Sequence, residues 1–141
     1  MGLSRLCLVR PGRIGQPDHP MALKMAVKSQ DVLGSALVFA SLAEALIGVD
    51  YAVATSAKSG LGGVYTLQEA AAELTRRSAD QQQLAVVFGN EKSGLSDADV
   101  ALCDSCLRIP MAAAQPSINL AQACQLVAYQ LFVAGLAERG P

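Results

Sequence analysis

The stretch Leu84-Ala85-Val86-Val87-Phe88-Gly89-Asn90-Glu91-Lys92-Ser93-Gly94-Leu95 decides how the chain is read. Its opening residues, Leu84 to Phe88, are continuously apolar. That is the pattern of a central parallel strand, buried on both faces. The run stops at Gly89, and a second glycine stands at Gly94. Such a pair lets the backbone turn tightly and approach a ligand closely. A loop at the carboxyl end of a strand is also where open α/β sheets bind ligands. The Lys92-Ser93 pair invites comparison with a phosphate-binding P-loop. That pattern requires glycines one and six places before the lysine, and Glu91 and Val86 stand there. A dinucleotide fingerprint fails too, because Gly60, Gly62 and Gly63 lack its spacing.

Outward from this stretch, strands and helices alternate. On the N-terminal side, Leu6 to Val9 reads as a short buried strand. Residues 11–20, with three prolines and two glycines, read as a loop. Met21 to Lys28 reads as a short helix and Ala36 to Phe39 as a strand. Ser41 caps the next helix in a capping box with Glu44, and that helix ends near Gly48. Tyr51 to Ala54 is the next strand, running into the small-residue loop 55–60. Leu67 to Arg77 has helical spacing and good helix formers.

On the C-terminal side, Ser96 opens a short helix through Leu102, and Leu107 to Ile109 is a brief strand. Asn119 to Leu136 forms the longest helix, with Leu120, Ala123, Cys124, Val127, Leu131 and Ala134 at the helical period. The alternation predicts an α/β fold, a mostly parallel sheet with helices on both faces. With no repeat, low-complexity tract or linker, residues 1–141 read as a single domain. Three loops at strand carboxyl ends become the candidate site: 55–60, 89–95 and 110–119.

Composition narrows the function class. The chain has 141 residues, just over half of them apolar, and can bury a core without staples. The net charge of −1 gives no global basic field. Locally, residues 1–30 set Arg5, Arg10, Arg13, Lys24 and Lys28 against the single acid Asp18, a face able to meet phosphates or simply to be solvated. Cys7, Cys103, Cys106 and Cys124 sit among apolar neighbours and no signal pattern opens the chain, so reduced thiols and a cytoplasmic location are expected. No membrane span is expected, because Gln122, Gln125 and Gln130 interrupt the apolar stretch 119–137. Cys103-Asp104-Ser105-Cys106 has redox spacing but closes a helix and opens a strand, the reverse of a thioredoxin-type site. A zinc site would need further ligands from the scattered Cys7, His19 and Cys124, so no metal is expected.

Two further segments complete the pattern. Leu107-Arg108-Ile109-Pro110-Met111 is followed by Gln115-Pro116-Ser117-Ile118-Asn119-Leu120. Taken alone, Ser117 and Asn119 read as a helix cap. Together with FGNEKSGL at 88–95, the segments RIPM and PSINLAQA closely resemble motifs two and three of the SpoU/TrmH group of SPOUT RNA methyltransferases. Within that group they are most similar to tRNA 2′-O-methyltransferases of the TrmJ type. The segments Leu6–Pro11, Ala26–Ala36 and Leu42–Ala57 share the likeness, which covers essentially the whole chain.

The resemblance implies transfer of a methyl group from S-adenosylmethionine to a ribose 2′-hydroxyl of RNA, with tRNA favoured over rRNA. It also implies a C-terminal trefoil knot and a homodimer with its sites near the subunit interface. Carried over position by position, Thr55, Ser56 and Ala57, then Gly89, Asn90 and Gly94, then Ile109, Met111, Ser117 and Leu120 would hold the cofactor. Glu91, Ser117 and Asn119 match the family's polar active-site residues. The resemblance implies a further strand and helix at the start of the family's domain, carrying a first motif with an Asn, a Gly and an Arg. Met1-Gly2-Leu3 matches only the close of that motif, so the single domain is expected to lack that first strand and helix. The resemblance thus leaves the motif-one Arg without a counterpart here. The alternative expectation is a homologue that binds cofactor or RNA and methylates poorly or not at all.

Overall fold

The computed structural model describes residues 3, 5–57, 63–112 and 118–140. The chain falls into two compact units, residues 2–47 and residues 48–141. In the first unit, β1 (Cys7–Val9) pairs in parallel with β2 (Leu37–Phe39). Between them lie a 3-10 turn at Arg13–Gly15, α1 (Pro20–Met25) and α2 (Gln30–Gly34), and α3 (Leu42–Ala45) follows β2. His19 opens α1, its Nδ1 accepting from the Met21 N–H at 3.1 Å. Ser41 caps α3 as expected, its hydroxyl accepting from the Glu44 N–H at 3.2 Å. The Glu44 carboxylate, however, accepts from the N–H of Ala40, one residue before the cap.

The second unit is a parallel sheet of order β4-β6-β3-β5, made of β3 (Tyr51–Thr55), β4 (Val64–Tyr65), β5 (Leu84–Val87) and β6 (Ser105–Leu107). Asp clamps at its amino end fix the register. Asp50 donates its N–H to the Gln83 carbonyl at 2.8 Å and accepts the Gln83 N–H on its carboxylate at 2.7 Å, starting β5 beside β3. Asp104 does the same for β6. Its N–H donates to the Ala52 carbonyl at 2.8 Å and its carboxylate accepts from the Ala52 N–H at 2.7 Å.

The strand period of two then sorts the side chains to opposite faces. Tyr51, Val53, Leu84, Val86 and Leu107 meet Ala70 and Leu74 of α4 (Leu67–Ala79) and Val127 of α6 (Leu120–Arg139). Ala54, Val87 and Cys106 meet Leu95 and Val100 on the other side, where α5 (Asp97–Ala101) lies. Helices therefore cover both faces of this sheet, as the alternation predicts.

Several boundaries depart from expectation. The sixth strand is Ser105–Leu107, two residues earlier than the 107–109 read from sequence. Asp104 makes the difference, because its two bonds to Ala52 bring polar Ser105 into a ladder that looks like loop in sequence. The short α2 and the two-residue β4 carry too few residues for any period to show. Capping boxes at Thr66/Glu69 and Ser96/Asp99 anchor the starts of α4 and α5. Finally, α6 is long and apolar enough to cross a membrane by length and composition, despite its glutamines. Val127 and Ala123 are buried on one face, while Leu126, Tyr129, Phe132, Val133 and Leu136 are exposed on another. The apolar content is thus spread over two stripes instead of one.

Candidate active site

Parallel pairing sends the loops after β3, β5 and β6 out of one edge of the sheet. Ala54 stands level with Val87, and Thr55 level with Leu107. Neighbouring strands lie about 4.8 Å apart, so three adjacent loops open within about 10 Å of one another. The sheet order, not the sequence, makes neighbours of residues 55–57, 88–94 and 108–112.

The first loop is pinned to both neighbours. The Thr55 hydroxyl donates to the Val87 carbonyl at 2.9 Å, and the Ser56 N–H donates to the Leu107 carbonyl at 3.1 Å. Thr55 and Ser56 are half-buried and Ala57 is exposed. These bonds leave Thr55 its oxygen lone pairs to offer a ligand.

The second loop is tightly built. A Cβ on Gly89 would lie 2.3 Å from the backbone of Gly94 and Leu95, so no larger residue fits without moving main chain. Gly94 has φ +65°, in the left-handed region that favours glycine. Between them, the Asn90 side-chain oxygen accepts from the N–H groups of Lys92 and Ser93 at 3.0 and 2.8 Å and from the Ser93 hydroxyl at 3.0 Å. The Asn90 carbonyl accepts from the Gly94 N–H at 3.0 Å. Asn90 is therefore the loop's internal brace. Glu91 and Lys92, at its tip, stay exposed.

The third loop leaves Leu107 through Arg108, whose N–H donates to the Tyr65 carbonyl at 3.0 Å. Ile109 packs into the core, while Met111 is exposed. Ser117 lies outside the described residues. Asn119 is the N-cap of α6, its side-chain oxygen accepting from the Ala121 N–H at 2.9 Å. Capping and site membership do not compete here. With the oxygen turned to the helix, the amide NH₂ still has two donors to present outward. Leu120 is half-buried at the start of the helix.

Met111 and Asn119 share the wall of an open cleft of about 640 Å³ with Ile118, Ala121, Gln122, Gln125 and Leu126. That volume lies within the range of about 300–1,000 Å³ typical of small-molecule sites. Sequence reading missed Gln122 and Gln125, although Gln122 stands one helical turn beyond Asn119.

Burial disfavours the thiolate form of the cysteines in the second unit. Burial, then the charge of Asp104, pushes the Cys103 thiol up to about 11. Burial also raises those of Cys106 and Cys124. The Cys103 and Cys106 thiols donate to the carbonyls of Asp99 and Leu107. Among the described residues, no group of three or more His, Cys, Asp or Glu side chains is placed to hold a metal ion.

The model of the SpoU rRNA Methylase family matches residues 1–129. The tRNA (cytidine/uridine-2′-O-)-methyltransferase TrmJ of Photorhabdus laumondii is 36% identical over 140 residues, covering 99% of this chain and 57% of that protein. The chain thus spans little more than half the length of this curated relative. Among solved structures, a probable methyltransferase from Bordetella pertussis matches with a TM-score of 0.87 at 35% identity, covering 96% of this chain and 82% of that one. TrmJ from Z. mobilis matches with a TM-score of 0.81 at 35% identity, covering 94% and 58% respectively.

Proposed function

Because the chain belongs to the SpoU rRNA methylase family, we propose that it transfers a methyl group from S-adenosylmethionine to a ribose 2′-hydroxyl of tRNA, on cytidine or uridine. The observation that carries this reading is the convergence of three loops at one sheet edge, the middle one closed so tightly that only glycine fits at position 89. A nucleoside cofactor held by main-chain groups needs such side-chain-free turns, together with an apolar wall, which Ile109, Met111 and Leu120 supply. When bound, S-adenosylmethionine supplies a methyl carbon already activated by a positive sulfonium.

What remains for the protein is positioning and removal of a proton. Thr55, Ser56 and Ala57 form one wall, and Gly89, Asn90 and Gly94 form the next. Asn119, held by its cap, offers its amide NH₂ to a ribose oxygen. Glu91, exposed at the loop tip, and Ser117 complete the polar set that orients the hydroxyl.

The same reading takes residues 1–141 as one methyltransferase domain, supported by a family match that runs through both units. It extends to a trefoil knot in the C-terminal segment and to a cytoplasmic protein. A second copy of the chain would cover the outer stripe of α6. Tyr129, Phe132, Val133 and Leu136 recur at helical spacing there and are all exposed, a large apolar face.

Calorimetric titration with S-adenosylhomocysteine tests the pocket. Saturable binding is expected, and it should be lost in Gly89→Ala, whose Cβ collides with backbone. Incubation of labelled S-adenosylmethionine with unmodified tRNA, followed by nucleoside analysis, tests the reaction. A folded chain that binds the product but leaves every ribose unmethylated would contradict the enzymatic reading.

A further inference from the structure

The cleft that begins at Asn119 continues along α6 beyond any residue given a role above. Asn119 and Gln122 are three residues apart, about one turn, and so share a helix face. Both line the cleft. Gln122 is exposed, and its carboxamide makes no hydrogen bond to another described residue. Around it, Met111, Ala121 and Leu126 give the cleft apolar walls. An apolar slot with one unengaged group that both donates and accepts has the composition of a base-binding site.

We propose that Gln122 reads the Watson–Crick edge of the target pyrimidine, a role that rests on the methyl-transfer reading above. If Asn119 addresses the ribose, the attached base must lie within a nucleoside's length of it, along the cleft. A carboxamide carries an acceptor and a donor side by side. Cytosine presents its amino donor beside the N3 acceptor, and uracil presents the N3 donor beside the O4 acceptor. Rotation of the Gln122 amide by half a turn exchanges its oxygen and nitrogen, so one side chain makes two hydrogen bonds to either base. Gln122 thereby accounts for a site that takes both pyrimidines without distinguishing them.

The probe is a pool of unmodified tRNA transcripts methylated by the full chain, with 2′-O-methylcytidine and 2′-O-methyluridine quantified separately. Gln122→Leu keeps the bulk and removes both hydrogen bonds. It is expected to lower kcat/KM for both nucleosides by about 10-fold or more, the size of a lost bidentate base contact. Its affinity for S-adenosylhomocysteine should equal that of the wild type. Gln122→Arg presents donors only. These match cytosine's adjacent N3 and O2 acceptors but oppose uracil's N3 donor, so the product ratio should shift toward cytidine by several-fold. A purely structural role for Gln122 would not move that ratio.

Unchanged kcat/KM in Gln122→Leu, or an unchanged ratio in Gln122→Arg, overturns the inference while leaving the methyl-transfer reading intact. A parallel fall in product affinity also overturns it, because Gln122 would then belong to the cofactor. A wild-type chain that binds the product and methylates no transcript overturns the underlying reading, and the inference falls with it.

Discussion

The two longest helices, α4 and α6, pack against each other and are finished differently. On α4 the buried residues Ala70, Ala71 and Leu74 face the core. The rim of that face is closed by charge, with Glu73 gripping Arg76 at 2.8 Å and Arg77 at 2.7 Å. Arg77 in turn lies 3.7 Å over the Tyr51 ring, tying the end of α4 to the start of β3. On α6 the face turned to α4 is apolar, and so is the face turned away. One helix is satisfied within the chain, whereas the other is apolar on more sides than the chain covers. A helix with one apolar stripe needs one neighbour, and a helix with two needs a second surface.

The comparison can be broken where the helices meet. Leu74 is 3% exposed, against Val127 of α6. Leu74→Ala should destabilise the protein by about 2–5 kcal/mol, read as a lower urea midpoint at unchanged slope. A loss below 1 kcal/mol, within the cost of a conservative swap, would mean that the two helices are not held by this contact. On the outer face of α6, Phe132→Glu should weaken self-association about 30-fold or more, as for an interface anchor. Gln68→Glu on the exposed face of α4 should leave it unchanged. Light scattering over a dilution series separates the two, and a wild-type chain that is monomeric at every concentration removes the need for a second copy.

The caps sharpen the contrast further. Thr66 accepts from the Glu69 N–H while the Glu69 carboxylate accepts from the Thr66 N–H at 2.8 Å. Thr66→Ala should cost about 1 kcal/mol with no effect on product binding. Asn119→Ser keeps a capping oxygen on α6 but removes the amide NH₂, so stability should hold while turnover falls. Equal turnover would take Asn119 out of the chemistry.

The smallest effect is electrostatic. Hydrogen bonds from Arg76 and Arg77 hold the Glu73 carboxyl down at about 2, against an ordinary value of about 4.3. A lowered folded-state pKa means that the contribution is complete above the ordinary value. It is lost as pH falls from there through about 2. The gap between wild type and Glu73→Gln in urea midpoint should therefore be present at neutral pH and shrink as the solution is acidified through that window. A gap that widens on acidification has the wrong sign.

Much of this was legible in the chain itself. The apolar run at 84–87, the glycines at 89 and 94 and the capping residues act within a few positions of one another, so their consequences are written locally. Asn119 is instructive because the cap is written in its residue type, whereas its place in the wall of the cleft is not. The sixth strand was misplaced because its position depends on Asp104 reaching Ala52, 52 residues away. The outer stripe of α6 was overlooked because the inner one already satisfied the helical period.

The sequence alone determined the α/β class, the long helices and the loop chemistry that identifies the family, because periodicity, turn residues and motif order are short-range properties. Only the tertiary structure decided the sheet order β4-β6-β3-β5 and the meeting of three loops at one edge. Those features arise from pairings between residues far apart in the chain, whose strength depends on geometry that no local pattern encodes.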